Sequence, residues 1–95
     1  MMKERLIALI NHSTTNERTK NKEFSELTGL SKEVIRALAY GRQKFNEEHI
    51  RLITTAFPRY KMWFVFGQTR PETEQTSPEL EESVDDGGET RTNTQ

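Results

Sequence analysis

Leu6, Ile7, Leu9 and Ile10 recur at helical spacing behind the charged Lys3, Glu4 and Arg5, which predicts a first amphipathic helix from about Met2 to His12. The next ten residues, STTNERTKNK (13–22), are polar throughout and read as a loop. Thr19 or Asn21 is available there to cap a second, short helix that turns Phe24 and Leu27 inward. Gly29 stands where that helix should stop, because a residue just past a helix end is often left-handed and glycine adopts that conformation without the steric cost of a Cβ. Leu30 can plug the junction, and Ser31 is a good N-cap for a third helix with Lys32 and Glu33 in its first turn. At about 100° per residue, Val34, Ile35 and Leu38 fall on one side of this helix, and Lys32, Glu33, Arg36 and Tyr40 on the other. One face belongs to a core; the other is offered outward.

Gly41 closes the third helix, and the basic stretch RQKFN leads to Asn46, which can cap a fourth helix whose first turn holds Glu47 and Glu48. Ile50, Ile53 and Phe57 form its buried stripe, and Pro58 stops it. A last short helix is predicted from Arg59 to Phe66, with Gly67 after it. Apolar residues surround that helix in YKMWFVFG, so a single packing face cannot cover them all. Some of Trp63, Phe64 and Phe66 are therefore expected to meet a second surface. The pattern as a whole predicts an all-α fold: a compact bundle of about five short helices over residues 1–67, then an acidic, disordered tail over 68–95. The tail has two prolines, eight acids and few apolar residues, too little to offset the entropy of ordering it. Within it, SPELEESV (77–84) is the exception, since Ser77-Pro78 can start a helix and Leu80 and Val84 are spaced i, i+4, given something to bind.

Charge changes the picture more than composition does. The net charge of −1 conceals 13 Lys/Arg against 7 Asp/Glu in residues 1–71, and 1 against 8 in residues 72–95. A basic body can hold a polyanion that the average charge would not suggest. The acids of the tail suggest competition with such a polyanion for that body, in which case deleting 72–95 should tighten its nonspecific binding at low salt. The absence of cysteine removes disulfides, a thiolate nucleophile and a cysteine zinc site. The longest nearly apolar run, Met62 to Phe66, is far short of the roughly 20 residues of a membrane span, and MMKERLIALINHS reads as a helix rather than a signal peptide. A soluble, cytoplasmic protein is expected. His12 and His49 lie on separate helices without neighbouring ligand types, so no metal site, no cofactor and no catalytic residue is predicted, and the chain does not read as an enzyme.

Two short helices joined by a tight glycine-containing turn, the second with a polar outward face, describe a helix-turn-helix, which pushes one helix out far enough to enter the major groove. The spacing of Phe24, Ser25, Gly29, Leu30, Ile35 and Leu38 resembles the helix-turn-helix of the Cro/C1-type (XRE-like) family of phage and bacterial regulators. AYGRQKFNEEHIRLI is similar to that family's loop and fourth helix, and FPRYKMWFVFGQTRPE resembles the C-terminal end of small prophage-type DNA-binding proteins. The likeness covers roughly residues 2 to 72. It departs from the family in the long link Ser13–Lys22 and in Asn21, where the family often has a phosphate-contacting Gln.

The resemblance implies a sequence-specific transcriptional regulator of double-stranded DNA, acting as a repressor on a near-palindromic operator. Lys32, Glu33 and Arg36 would then lie along the major groove with Tyr40 near its edge, Arg36 suited to guanine O6 and N7. Lys20, Asn21, Lys22, Ser31, Arg42, Lys44 and Asn46 would hold phosphates. A body of this size has little core to spare, so Tyr60, Trp63, Phe64 and Phe66 are assigned to a homodimer interface. Two other readings stand beside this one: a protein-binding module that keeps the fold and inhibits a host or phage protein through the Trp63 surface or the acidic tail, and an antitoxin variant of the regulator.

Overall fold

The computed structural model describes residues 2–82. Five helices make up its body: α1 (Met2–Ser13), α2 (Lys20–Thr28), α3 (Lys32–Ala39), α4 (Glu47–Ala56) and α5 (Lys61–Phe66). No strand occurs among the described residues. Helix α1 packs against α2, α3 and α5, while α4 packs against α2 and α5. The core gathers where these meet: Leu6, Leu9, Phe24, Ile35, Leu38 and Ile53 are wholly enclosed. Phe24 stacks on Phe57 at 5.7 Å, and Phe45 meets Phe64 edge-on at 5.9 Å. An all-helical bundle containing a helix-turn-helix is what the apolar periodicity predicted.

The polar link between α1 and α2 is more ordered than its composition suggested. Ser13 and Thr14 donate their hydroxyls back to the carbonyls of Leu9 and Ile10, at 2.7 and 2.6 Å, which satisfies the last turn of α1. Asn16 caps a 3-10 turn over Glu17–Thr19, and α2 follows at once from Lys20. Thr19 occupies the N-cap position without capping; its hydroxyl donates to Glu23 at 2.9 Å. Glu23 also takes the Thr15 backbone N–H at 2.9 Å. One carboxylate thus ties the link to α2, a polar arrangement that apolar spacing cannot reveal. These bonds, first the Thr15 amide and then the Thr19 hydroxyl, hold the Glu23 carboxyl below its usual range.

Helix α2 corrects one expectation, for Leu27 is 50% exposed. The inner face is centred instead on Phe24 and Thr28, one turn apart. Thr28 can be buried because its hydroxyl donates to the Phe24 carbonyl and accepts the Leu30 N–H.

Three of the four residues assigned to a dimer interface are also corrected. Tyr60, Trp63 and Phe64 are buried within the chain itself, Trp63 at 6% exposure. Helix α1 crosses α5 and uses these rings to close the core: Tyr60 and Trp63 meet edge to face at 6.3 Å. Arg5 completes the junction, its Nε donating to the Phe64 carbonyl at 2.9 Å at the end of α5. Only Phe66, 69% exposed, stands out from the body.

The acidic segment departs from expectation at its near end. Residues 68–82 are folded onto the body rather than unstructured. Gln75 is the anchor: its amide donates to the Pro58 carbonyl at 3.0 Å and accepts the Met62 N–H at 2.9 Å, capping the start of α5. The Thr76 N–H donates to the Arg59 carbonyl at 2.9 Å. Buried Ser77 then caps a helical turn at 78–82, its hydroxyl accepting the Leu80 N–H at 3.0 Å. The cap-and-proline signal therefore operates, and what binds the turn is the protein's own surface. Val84, the expected apolar partner of Leu80, lies outside the described residues. Polar side chains making directed bonds hold this strap, so its lack of apolar residues did not prevent folding.

Candidate nucleic-acid interface

Helix α3 begins and is preceded as the turn chemistry requires. Gly29 is left-handed at φ 87°, and its N–H closes α2 on the Ser25 carbonyl at 2.8 Å. Leu30 is buried beneath the turn, and Ser31, in an extended conformation, accepts the Val34 N–H at 3.1 Å. Burial of Ile35 and Leu38 fixes the rotation of α3 about its own axis. That rotation presents Lys32, Glu33 and Arg36 to the outside, all exposed. No side chain of the three makes a hydrogen bond or ion pair among the described residues, so Glu33 and Arg36 are not spent on each other.

The residues assigned to phosphate are not equally available. Lys22, Arg42 and Lys44 are exposed, whereas Lys20 and Asn21 are half-buried at the start of α2. Lys20 is engaged with Glu17 at 2.9 Å, an exposed pair that water and salt weaken. Ser31 and Asn46 both engage their side-chain oxygens in helix caps, and the Ser31 hydroxyl proton and the Asn46 amide N–H groups are what each could donate to a phosphate. Asn46 and His49 form a reciprocal capping box: Asn46 Oδ1 accepts the His49 N–H at 2.8 Å, and His49 Nδ1 accepts the Asn46 N–H at 3.2 Å. His49 is thus a structural residue of α4. Glu48 turns back to Arg51, whose guanidinium bonds lower the carboxyl's pKa.

Tyr40 and Arg42, assigned to different roles, form one unit. The guanidinium of Arg42 lies over the Tyr40 ring, 5.4 Å from its centroid. Both are exposed, so the stack is a preformed cationic plane at the end of α3. Lys20, Asn21, Arg36 and Tyr40 also line a single cleft with Ile7 and Asn11 of α1. Four of the predicted base and phosphate residues are thereby brought together from two helices. Ile7 and Asn11 carry no sequence signal for this role, because their place beside α3 follows from helix packing alone.

A second polar cluster, without any signal along the chain, lies on other elements. Arg59 and Tyr60 both donate to Glu81, and His12 stands against Tyr60, Glu81 and Glu82. Burial, and next the Glu81 carboxylate, push the Tyr60 phenol up to about 12.

No protein-family model matches the chain, and no curated protein matches it. No helix among the described residues is long and apolar enough to cross a membrane.

Proposed function

We propose that the protein is a sequence-specific double-stranded DNA-binding regulator of the Cro/C1 type, a repressor that acts in the cytoplasm of a bacterial or phage-infected cell. The observation that carries this reading is the outward face of α3, where Lys32, Glu33 and Arg36 are exposed and uncommitted on a helix whose other face is locked into the core. Helix α3 enters the major groove; Arg36 bonds guanine O6 and N7, and Glu33 accepts from cytosine N4 or orients Arg36. Lys22, Arg42 and Lys44 hold phosphates and set register without reading sequence. The Tyr40–Arg42 stack borders the groove and stiffens the cation that reaches the backbone.

Two copies related by a two-fold axis would set their α3 helices about 34–36 Å apart, which calls for a near-palindromic operator. Phe66 is the member of the aromatic run that remains free to join such copies. Repression needs only occlusion of polymerase. The test is selection from random oligonucleotides with purified protein at near-physiological salt. A near-palindromic consensus is expected; recovery of no consensus would refute sequence-specific binding.

A further inference from the structure

Helix α1 borders the outward face of α3 along one edge, and contacts within the chain do not account for what that edge carries. Lys3, Ile7 and Asn11 are spaced i, i+4, i+8, so they share one side of α1, and all three are exposed while Leu6 and Leu9 turn into the core. Ile7 and Asn11 line the cleft they share with Arg36 and Tyr40. Lys3 continues the edge one turn further: a Cβ on Gly41 would lie 3.5 Å from Lys3 Cδ and 3.6 Å from its Nζ. The lysine stem therefore lies against the turn that ends α3, with its ammonium at the residue between Tyr40 and Arg42. The side chains of Lys3 and Asn11 make no hydrogen bond or ion pair among the described residues, and Arg42 engages the Tyr40 ring but no carboxylate. Two cations are thus held around one glycine without a counter-charge, a repulsion that a shared anion removes. Ile7, 38% exposed, leaves an apolar surface beside them.

We propose that this edge of α1 is a second track for the DNA backbone: Lys3 and Arg42 clasp one phosphate across Gly41, Asn11 donates its amide to another, and Ile7 rests on the deoxyribose between them. The proposal rests on α3 lying in the major groove and adds a third helix to the interface. A sugar-phosphate strand supplies each thing the edge lacks, since phosphate oxygens accept from ammonium, guanidinium and carboxamide groups and sugar carbons cover an aliphatic side chain. Lys3 and Asn11 are eight residues apart, about 12 Å along α1, so they meet different phosphates. Lys3 and Arg42 meet the same one because the turn at Gly41 brings α1 and the end of α3 together. None of these contacts touches a base edge, so the track fixes how the protein sits on the duplex and leaves sequence preference to α3.

The experiment measures binding of the full chain to its selected duplex between about 50 and 200 mM salt, with phosphate ethylation interference on the same complex. Lys3→Gln should reduce the salt slope by about 0.9 for each bound copy, so that affinity falls about 3.5-fold less across that range. It should also relieve interference at one phosphate, the same one that Arg42→Gln relieves and a different one from that of Lys44→Ala. Asn11→Ala should relieve a further phosphate with the slope unchanged, because a neutral amide displaces no counterion. Lys61→Gln removes an equal charge from an exposed position in a separate groove on α5 and should change neither readout. If Lys3→Gln behaves like Lys61→Gln while Lys44→Ala still lowers the slope, the proposal is overturned and the reading of α3 stands. Relief of different phosphates by Lys3→Gln and Arg42→Gln overturns the clasp. Absence of saturable duplex binding by the wild type overturns the reading and the proposal together.

Discussion

Replacing Gly29 by alanine isolates the backbone cost of the turn that sets α3. Gly29 sits at φ 87°, a region that L side chains enter reluctantly. Space is not the obstacle, since an added Cβ would lie 3.9 Å from Leu52 Cδ2, ordinary van der Waals contact. The penalty is then left-handed strain alone, about 1–2 kcal/mol, partly offset by the smaller entropy of an alanine-containing unfolded chain. A net loss of about 1 kcal/mol lowers the midpoint of thermal unfolding by about 4–8 °C in a domain of this size. Gly29→Asn should lose less, because asparagine tolerates the left-handed region. Urea denaturation followed by helical circular dichroism gives both values. If alanine proved as stable as glycine, or asparagine worse than alanine, the turn would not depend on a left-handed residue and the account of how α3 is set would be wrong.

Arg36→Ala should weaken operator binding by about 1–3 kcal/mol and relax one base position, while Lys44→Ala should weaken all sequences alike and reduce the salt slope by about one; competition binding over a salt series separates them, and uniform loss for both would undo the division of roles. Glu23 has a depressed carboxyl pKa, so its contribution is present above its unfolded value and is lost as pH falls through its folded one. Glu23→Gln should therefore remove an acid-labile part of the stability and the exchange protection of the Thr15 amide, which amide exchange between about pH 3 and 6 checks. Tyr60 has the opposite sign: its phenol, raised from 10.0 to about 12, contributes stability below the unfolded value that disappears as pH rises through the folded one. Tyr60→Phe should cost about 1–3 kcal/mol near neutrality through the lost bond to Glu81, and should show a smaller alkaline loss in the same denaturation assay. Competition by the tail acids is best tested by ending the chain after Glu82, because deletion from 72 also removes the Gln75 and Ser77 bonds; tighter random-DNA binding at low salt is expected, and an unchanged filter-binding affinity would dismiss the idea.

Local signals in the sequence determined where helices begin and end. Ser31, Asn46, Gly29 and the Ser77-Pro78 pair act within a few residues of themselves, through caps and a left-handed turn, so their effect needs no knowledge of distant chain. The outward face of α3 was legible for the same reason, because helical periodicity relates Arg36 to Ile35 and Leu38 without reference to other helices. Which way an all-round apolar helix turns is another matter. The residues of α5 offer several equivalent faces, and only packing against α1, α4 and the turn at Tyr60 decides that Trp63 and Phe64 go in and Phe66 stays out. Likewise, Leu27 loses its expected place to Thr28 once the hydroxyl finds two backbone partners. The strap depended most on tertiary structure. Glu81 and His12 are 69 residues apart, and their attraction exists only after α1 and the turn at Tyr60 have been brought side by side. Pattern along a chain reports burial with a short period, whereas a directed bond between distant polar groups has no period at all, and that is why the body could be read and its closure could not.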